Sequence, residues 1–433
     1  MENAIFLFLD ILNRAFSLTW WIILPLILFA IFWKLWLVFI RLRFIKKIKW
    51  SFFEIKIPKE ILKTPKTMEQ IFAQIYGGIY SFGKKWLEIY WDGEIEEWIS
   101  FEIFGRAKSI HFYVYFPEKY KQLIRSAIYS QYPDAEISEA QDYVGDLPLV
   151  LPNEEYDIWG TEFTLTKDAP YPIKTYPFFE DPQEEKRIDP LAPIFEAMSQ
   201  LKADEIMMFQ FLIYPTGDQI GDDWKKEGEK IIKEIAEKAK TKKEKNAVAE
   251  FLRNLAAAPV QPPVWGEESE SKDTFPKFLR PDEQEIIKAI TNKISKPGFR
   301  TNIRFLYIDS KDSFTNSNVS AATSAFNQFT IQNLNSFKLK NKTSVSKSFL
   351  MRIFPNWRAR KILIKKRRFY DAFCERRLLI NLYDFNFKEL SLLNTEELAT
   401  VYHFPISIPG GEAPTLRRIE AKTGGPPPEL PVE

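Results

Sequence analysis

Cysteine and histidine are scarce in this chain of 433 residues. It has one cysteine, Cys374, and two histidines, His111 and His403. A single thiol cannot form an intramolecular disulfide and is typical of a reducing compartment. Two histidines leave little material for a zinc site or a histidine-based triad. The favoured interpretations are a buried structural thiol, a strand histidine at a sheet edge for His111, and a helix-capping or loop hydrogen bond for His403.

An intact nucleotide-binding loop is also missing. The stretch GGIYSFGKK, residues 77–85, has the glycine and lysine spacing of a phosphate loop, but Lys85 stands where the motif needs Ser or Thr to bind Mg²⁺. Its surroundings, residues 67–91, repeat apolar side chains at helical spacing, which predicts an amphipathic helix whose glycines allow close packing. Signatures of serine hydrolases, zinc proteases and dinucleotide enzymes are absent as well, so we expect no enzyme, no cofactor and no metal site.

One long apolar run is present near the N-terminus. Ala15–Trp33 contains 19 residues without a charge, and a helix of that length spans about 28 Å, close to the hydrocarbon thickness of a bilayer. Glu2, Asp10 and the length of the run favour a retained anchor over a cleaved signal peptide. Five basic residues follow between 41 and 49, against Arg14 alone before the run. The positive-inside rule therefore predicts a single-pass protein of the cell (inner) membrane, with its N-terminus outside and its bulk in the cytoplasm.

The rest of the chain predicts an α+β fold built from two similar series of elements. The first series begins with a strand at 51–57 and the helix within 67–91. It continues over 96–140 in the order strand, strand, helix, strand, at 96–105, 109–116, 117–132 and 134–140. The second has strands and helices at 204–215, 222–256, 281–296, 297–309, 319–334 and 335–340. This order is typical of a ferredoxin-like, split βαβ sandwich. We therefore expect an N-terminal transmembrane helix, two ferredoxin-like modules and a helical C-terminal segment.

Composition shifts divide the chain into five predicted regions. They are a transmembrane anchor with a basic cytoplasmic flank at 1–49, a first α+β module at 50–190, a second α+β module at 191–345, a basic, helical C-terminal segment at 346–410 and a Pro-rich tail at 411–433. The Pro-rich stretch 168–193 is expected to connect the two modules.

Basic residues are concentrated between 347 and 377. Eleven Lys and Arg stand there against Asp371 and Glu375, and aromatic residues interleave with them. Basic side chains attract phosphate and aromatic rings stack on bases, so DNA is one candidate partner. Anionic lipid, contact with another protein and a plain solvated helix face are the alternatives. The positions singled out for nucleic-acid or lipid contact are Arg358, Arg360, Lys361, Lys365, Lys366, Arg367 and Arg368.

Three stretches have a distinctive sequence. They are FEIFGRAKSIHFYVYFPEKYKQLIRSAIYSQYPDAEI (101–137), KDAPYPIKTYPFFE (167–180) and LNTEELATVYHFP (393–405), the last followed by PPPELP (426–431). Together they resemble the membrane-anchored N-terminal region of type IV secretion-like, conjugative DNA-transfer ATPases of candidate-phyla bacteria, which also occurs as a stand-alone domain of unknown function. The resemblance covers most of residues 45–433.

The resemblance implies a non-catalytic scaffold or adaptor of a transfer apparatus. In the fused relatives a motor domain with a P-loop follows the LNTEELA…HFP element, and no such loop follows it here. The expected partner is therefore a separate P-loop ATPase, docked near Asn394, Glu396 and Glu397, residues that also suit the first turn of a capped helix. The alternative is a membrane-tethered nucleic-acid-binding protein that uses 347–377. A homo-oligomer is a further candidate assembly.

Overall fold

The computed structural model describes residues 2–57, 63–80, 87–95, 97–107, 109–180, 189–216, 224–238, 279–344, 355–378 and 389–405, with the backbone alone at 2–16 and 18. These residues belong to two compact units. The first holds helix α1 (Glu2–Lys47) and a single π-helical turn (Glu88–Asp92). The second holds every other described helix and strand.

Helix α1 is apolar and largely uncovered. From Thr19 to Lys47 it is long and apolar enough to cross a membrane, and 6% of its most apolar stretch is buried. Pro25 lies inside this helix, a position that membrane-spanning helices tolerate. An N-terminal apolar helix of the expected kind is thus confirmed. A signal sequence meets the same criterion, so membrane crossing and orientation stay predictions.

The second unit is built on one antiparallel sheet, with nine strands among the described residues. They are β1 (Trp50–Lys56), β2 (Ile99–Arg106), β3 (Ser109–Pro117), β4 (Glu136–Glu139), β5 (Tyr156–Leu165), β6 (Ile206–Thr216), β7 (Gly298–Ser310), β8 (Phe337–Lys340) and β9 (Ser391–Asn394). Eight of them follow the order β4-β1-β3-β2-β6-β7-β5-β8, and β9 pairs with the first residues of β7. The central strands β6 and β7 are buried along nearly their whole length, because other elements cover both faces of the sheet.

Helices and one loop form the covering layers. The helices of this unit are α2 (Pro65–Ile79), α3 (Lys121–Gln131), α4 (Ala192–Ser199), α5 (224–238), α6 (Pro281–Ser295), α7 (Asn316–Ser324), α8 (Pro355–Cys374) and α9 (Thr395–Val401). One face of the sheet packs against α2, α3, α4, α7 and α9 in the main core. The opposite face packs against the last turns of α8 and a loop that includes Tyr143, Leu147 and Leu151.

One continuous sheet stands where two modules were expected. β5, which sequence patterns did not predict, lies within the predicted first module but pairs with β7 and β8 of the second. β2 pairs with β6 across the predicted boundary at 190. Within the connecting stretch 168–193, Ile173 and Tyr176 are buried. The α+β class is confirmed, whereas two ferredoxin-like modules are not.

The stretch that imitates a phosphate loop begins on a helix. Gly77 and Gly78 lie near the end of α2, and residues 81–86 lie outside the described part of the chain. A Cβ added at Gly78 would lie 2.5 Å from Cδ2 of Leu123 on α3. Glycine therefore permits the contact between α2 and α3, and the predicted amphipathic helix is confirmed up to Ile79. The predicted Pro-rich tail at 411–433 and the part of the predicted helix beyond 238 lie outside the described residues.

Candidate functional site

Helix α8 carries most of the basic stretch. It contains seven Lys or Arg and one carboxylate, Asp371, a net charge of 7 − 1 = +6. Residues 355–368, which we call the cationic arm, are exposed or half-buried, whereas Phe369, Tyr370 and Phe373 are buried against the sheet. The helix is therefore held by its last turns and offers its charge along the rest of its length.

The predicted contact residues differ in their surroundings. Arg358 is half-buried. Lys366 donates from Nζ to both carboxylate oxygens of Asp157 on β5, at 2.6 and 2.7 Å, and so helps to dock the helix. The other five are exposed and form no ion pair with a carboxylate among the described residues: Arg360, Lys361, Lys365, Arg367 and Arg368. All seven residues thus lie on α8, and five of them are exposed.

The C-terminus of α8 ends in a Schellman motif. The N–H of Arg377 donates to the carbonyl of Ala372 and the N–H of Arg376 donates to that of Phe373, both at 3.0 Å. Arg376 has a φ of 48°, in the left-handed region where glycine is usual. A bulky residue keeps this conformation only when other contacts compensate for the strain.

Arg376 has those contacts. Its guanidinium, 2% exposed, donates to both oxygens of Glu102 and both oxygens of Asp142 over 2.7–3.1 Å. It also lies over the rings of Tyr115 and Tyr143, 4.5 and 5.3 Å from their centroids. Burial opposes the charge, but Glu102, Tyr143 and Asp142 hold the pKa of Arg376 well above its ordinary value. Arg376 is therefore a buried structural cation, and a binding partner cannot reach its guanidinium.

Glu102 belongs to a row of residues that crosses the whole sheet. One residue from each of eight strands stands beside the next in register, and all lie on the face that α8 covers. In sheet order they are Ser138, Glu54, Tyr113, Glu102, Gln210, Arg304, Glu162 and Lys340. The sequence does not reveal this row, because its members are brought side by side only by the pairing of strands that are far apart along the chain.

The centre of this row binds the end of α8. Arg304 donates to the carbonyls of Ala372 and Leu378, both at 3.1 Å, and to Glu162 at 3.2 Å. Gln210 donates to the carbonyl of Phe373 at 3.2 Å. A cation placed at a helix C-terminus is favourable because the last carbonyls carry partial negative charge. We call Glu102, Gln210, Arg304 and Arg376 the α8 socket, since together they fix the helix to the sheet.

The proposed ATPase-docking residues lie mostly inside the fold. The Asn394 side chain accepts from the N–H of Glu397, and Glu397 accepts from that of Asn394, in a capping box at the start of α9. Both residues are buried, and Glu397 forms an ion pair with buried Lys293 at 2.9 Å. Glu396 is half-buried and bonds Lys296 at 2.5 Å. The predicted cap is confirmed. Asn394 and Glu397 are buried within the fold, and docking of an ATPase near these residues stays a prediction.

A cleft of about 430 Å³ opens beside α6. Its walls include the apolar side chains of Phe178, Ile286 and Ile331, and its lining reaches Lys293. The three donors of Lys293 are taken by the carbonyls of Tyr171 and Leu392 and by Glu397. Burial lowers the pKa of Lys293 and raises that of Glu397, while the opposite charge of each partner counteracts this effect on the other. The cleft therefore has an apolar surface, while the hydrogen-bond donors of Lys293 are used by groups of the protein itself.

The three residues first considered for chemistry are structural. Cys374 is partly buried, and burial raises its pKa to about 12, against the lowering that nearby arginines suggest. His111 lies on β3, an interior strand, so the expected edge position is wrong; its Nδ1 is 2.8 Å from Oε1 of Glu54. His403 is buried at the end of α9, with its ring nitrogens 2.9 Å from the carbonyl of Ala399 and 3.0 Å from Asp189. The described residues contain no cluster of potential metal ligands.

A family model matches residues 50–405, with the description "Domain of unknown function (DUF8128)". The chain belongs to the DUF8128 family. Among proteins with curated descriptions, none matches it. The DUF8128 match begins at the first residue of β1 and ends at the last residue described after α9. The family domain therefore contains the whole sheet, the cationic arm and the α8 socket, and helix α1 precedes it.

Proposed function

We propose that this DUF8128 protein is a non-catalytic, single-pass membrane scaffold that presents the cationic arm to an acidic partner. The observation that carries the proposal is that the end of α8 is fixed to the sheet while the rest of the helix is exposed. Four socket residues fix its end to the sheet, while five exposed cations along the preceding turns remain available. A helix whose end is fixed to the sheet favours recognition of a partner, because little backbone freedom is lost on binding.

Two further observations support a place at the membrane. Helix α1 is long and apolar enough to span a bilayer and is largely uncovered. The basic flank of α1 supports a cytoplasmic position for the body, by the positive-inside rule. The resemblance to the N-terminal region of conjugative transfer ATPases suggests the partner, a separate P-loop motor of a type IV secretion-like apparatus. Tethering such a motor raises its local concentration at the membrane without chemistry.

The strand order supports a duplicated origin for the body. Strands β1 to β4 are arranged as β4-β1-β3-β2, and strands β5 to β8 as β8-β5-β7-β6, which is the same order. Both are the order of a split βαβ unit. Glu54 on β1 and Glu162 on β5 occupy corresponding positions of the polar row. We therefore propose two ferredoxin-like units joined edge to edge through β2 and β6.

Co-purification tests the scaffold proposal. The tagged full-length chain, extracted in mild detergent from its native host, should retain a P-loop ATPase, and four charge reversals on the cationic arm should release it: Arg360→Glu, Lys361→Glu, Lys365→Glu and Arg367→Glu. The matched control reverses four exposed lysines of the mixed-charge helix α5: Lys226→Glu, Lys230→Glu, Lys233→Glu and Lys238→Glu. Equal retention by both variants would reject the arm as the docking surface. Deleting residues from 393 onward is unsuitable, because β9 and α9 belong to the core.

Nucleic-acid binding is the second candidate function. Trp357 is 54% exposed on the cationic arm, and Nζ of Lys361 lies 5.8 Å from its ring centroid. An exposed ring beside cations suits base stacking and phosphate attraction on single-stranded DNA. A fluorescent oligonucleotide should then bind the full-length chain with a steep salt dependence, and the arm reversals should flatten that dependence. Binding that is the same for the arm and α5 variants would exclude this function.

A further inference from the structure

A short segment that follows the end of α1 by about 40 residues packs against this helix. Residues 87–93, which we call the aromatic hook, form the π-helical turn Glu88–Asp92 and its flanks within the same compact unit as α1. The ring of Tyr90 stacks on that of Trp33, with centroids 6.3 Å apart and an interplanar angle of 22°.

Gly93 fixes the other end of the hook to α1. Its φ is 72°, and a Cβ added there would lie 2.6 Å from the backbone carbon of Ile40 and 2.9 Å from the nitrogen of Arg41. The backbones of the hook and of α1 are therefore in direct contact at this point. Any residue with a side chain at 93 would have to push them apart.

The hook leaves two large apolar side chains uncovered. Trp91 is 73% exposed and Leu87 is 63% exposed. They lie four residues apart, on a turn whose neighbouring Tyr90 faces α1. The carboxylates Glu88 and Asp92 belong to the same turn, so the segment combines apolar, aromatic and charged groups.

The contacts of the hook on α1 extend from Trp33 to Arg41, a length that spans the polar zone at the edge of a bilayer. Trp33 ends the uncharged run, and Arg41 begins the basic flank. Eight residues separate them, about 12 Å along a helix, compared with about 5–8 Å for the polar zone of one leaflet. Tryptophan and tyrosine prefer this zone, because their rings are apolar and their N–H or O–H groups stay hydrated.

We propose that the aromatic hook is a second membrane contact, with Leu87 and Trp91 inserted among the lipid headgroups and upper acyl chains beside α1. The proposal rests on the membrane anchor proposed above. Its partner is the lipid surface itself, and the contact is apolar, since the turn carries two carboxylates. Zwitterionic lipid should therefore suffice, and raising the salt concentration should leave the contact intact.

Depth-dependent quenching tests the hook. Cys374→Ala provides a background without cysteine, in which Trp91→Cys or Leu87→Cys carries an NBD label. The full-length chain is reconstituted into zwitterionic nanodiscs that contain lipid with a nitroxide at the headgroup or at mid-chain. Two reference labels on α1 calibrate depth: Ile27→Cys within the uncharged run and Lys47→Cys, which lies about 30 Å further along the helix.

The hook predicts that labels at 91 and 87 are quenched more by headgroup nitroxide than by mid-chain nitroxide. The label at 27 should show the reverse order, and the label at 47 should show little quenching by either. Gly93→Val should reduce quenching at 91 and leave that at 27 unchanged. If 27 is quenched but neither 91 nor 87 is, or if both are quenched mainly at mid-chain, the interfacial hook is wrong and the anchor stands. If 27 is not quenched, the proposed anchor fails, and the hook fails with it.

Discussion

Replacing Arg376 tests whether the α8 socket holds the helix. Arg376→Ala removes four charge-assisted hydrogen bonds and leaves Glu102, 1% exposed, as a buried carboxylate. Breaking a buried ion pair by removing one partner costs about 3–5 kcal/mol. Glu102 keeps hydrogen bonds from Ser100, Tyr143 and Gln210, so we expect a loss near the lower end, about 3 kcal/mol.

A glycine at the same position separates the ion pair from the backbone strain. Arg376→Gly loses the same contacts but relieves the positive φ of 48°, which costs a residue with a side chain about 1 kcal/mol or more. The free energy of unfolding of Arg376→Gly should therefore be about 1 kcal/mol higher than that of Arg376→Ala. In Glu102→Gln, the loss caused by Arg376→Ala should shrink, because no buried charge is then left behind.

Thermal unfolding of the full-length chain in detergent measures these differences through tryptophan fluorescence. The indole N–H of Trp98 donates to the carbonyl of Arg376 at 2.9 Å, so one fluorophore reports directly on the socket. At about 2 °C per kcal/mol, Arg376→Ala should lower the midpoint by about 6 °C. The control Arg360→Ala, on the exposed arm, should change stability by less than about 0.5 kcal/mol. A midpoint for Arg376→Ala equal to that of the control, or a lower midpoint for Arg376→Gly than for Arg376→Ala, would refute the reasoning.

Three further predictions concern buried groups. Lys293→Met should destabilise the chain by about 3–5 kcal/mol, and urea midpoints measure the loss. Adding Glu397→Gln should restore part of that loss, because the orphaned charge disappears, although the amide oxygen replaces only one of the two carboxylate oxygens that accept from the N–H groups of Asn394 and Ile173. Cys374 should resist maleimide at pH 8 until the chain unfolds. Its raised pKa, about 12, adds stability that is complete below the unfolded value of about 8.5 and is lost as pH rises toward 12, which unfolding midpoints across that window would show. Gly160→Val should loosen α8, since a Cβ there would collide with the ring of Phe369; faster hydrogen exchange in α8 without global unfolding is the expected result.

Local sequence patterns predict a helix or strand correctly where its own residues are mainly apolar, in one face of a helix or along a whole strand. The hairpin β2–β3, helix α3 and strands β6 and β7 follow directly from aromatic, β-branched or helically spaced residues. The cap of α9 was also readable, because a capping box involves residues three positions apart.

Strand β5 was missed for a physical reason. Its sequence, YDIWGTEFTL, places Asp157, Gly160 and Glu162 among the apolar residues. Asp157 binds Lys366, Gly160 admits the ring of Phe369, and Glu162 belongs to the polar row. Each interruption serves a contact with a distant part of the chain, and only the folded structure reveals those partners.

Contacts between residues far apart in the sequence also determine which candidate site residues are exposed and which are paired within the fold. Glu397 resembled a surface carboxylate until its partner Lys293, 104 residues away, was known. Lys366 resembled its exposed neighbours, although it reaches Asp157 over a separation of 209 residues. Charge in a sequence indicates what a side chain can attract, whereas burial and pairing decide whether it remains available.

The position of β9 has a consequence for how the body is made. Among the described strands, β9 is the last to leave the ribosome, and it pairs with Gly298–Thr301 at the beginning of β7. The edge of β7 at these residues stays open until residues 391–394 have been translated, and α9 must follow before the main core is complete. The described sheet and main core are therefore completed only after synthesis has passed Phe404, and a product that ends before β9 lacks this strand.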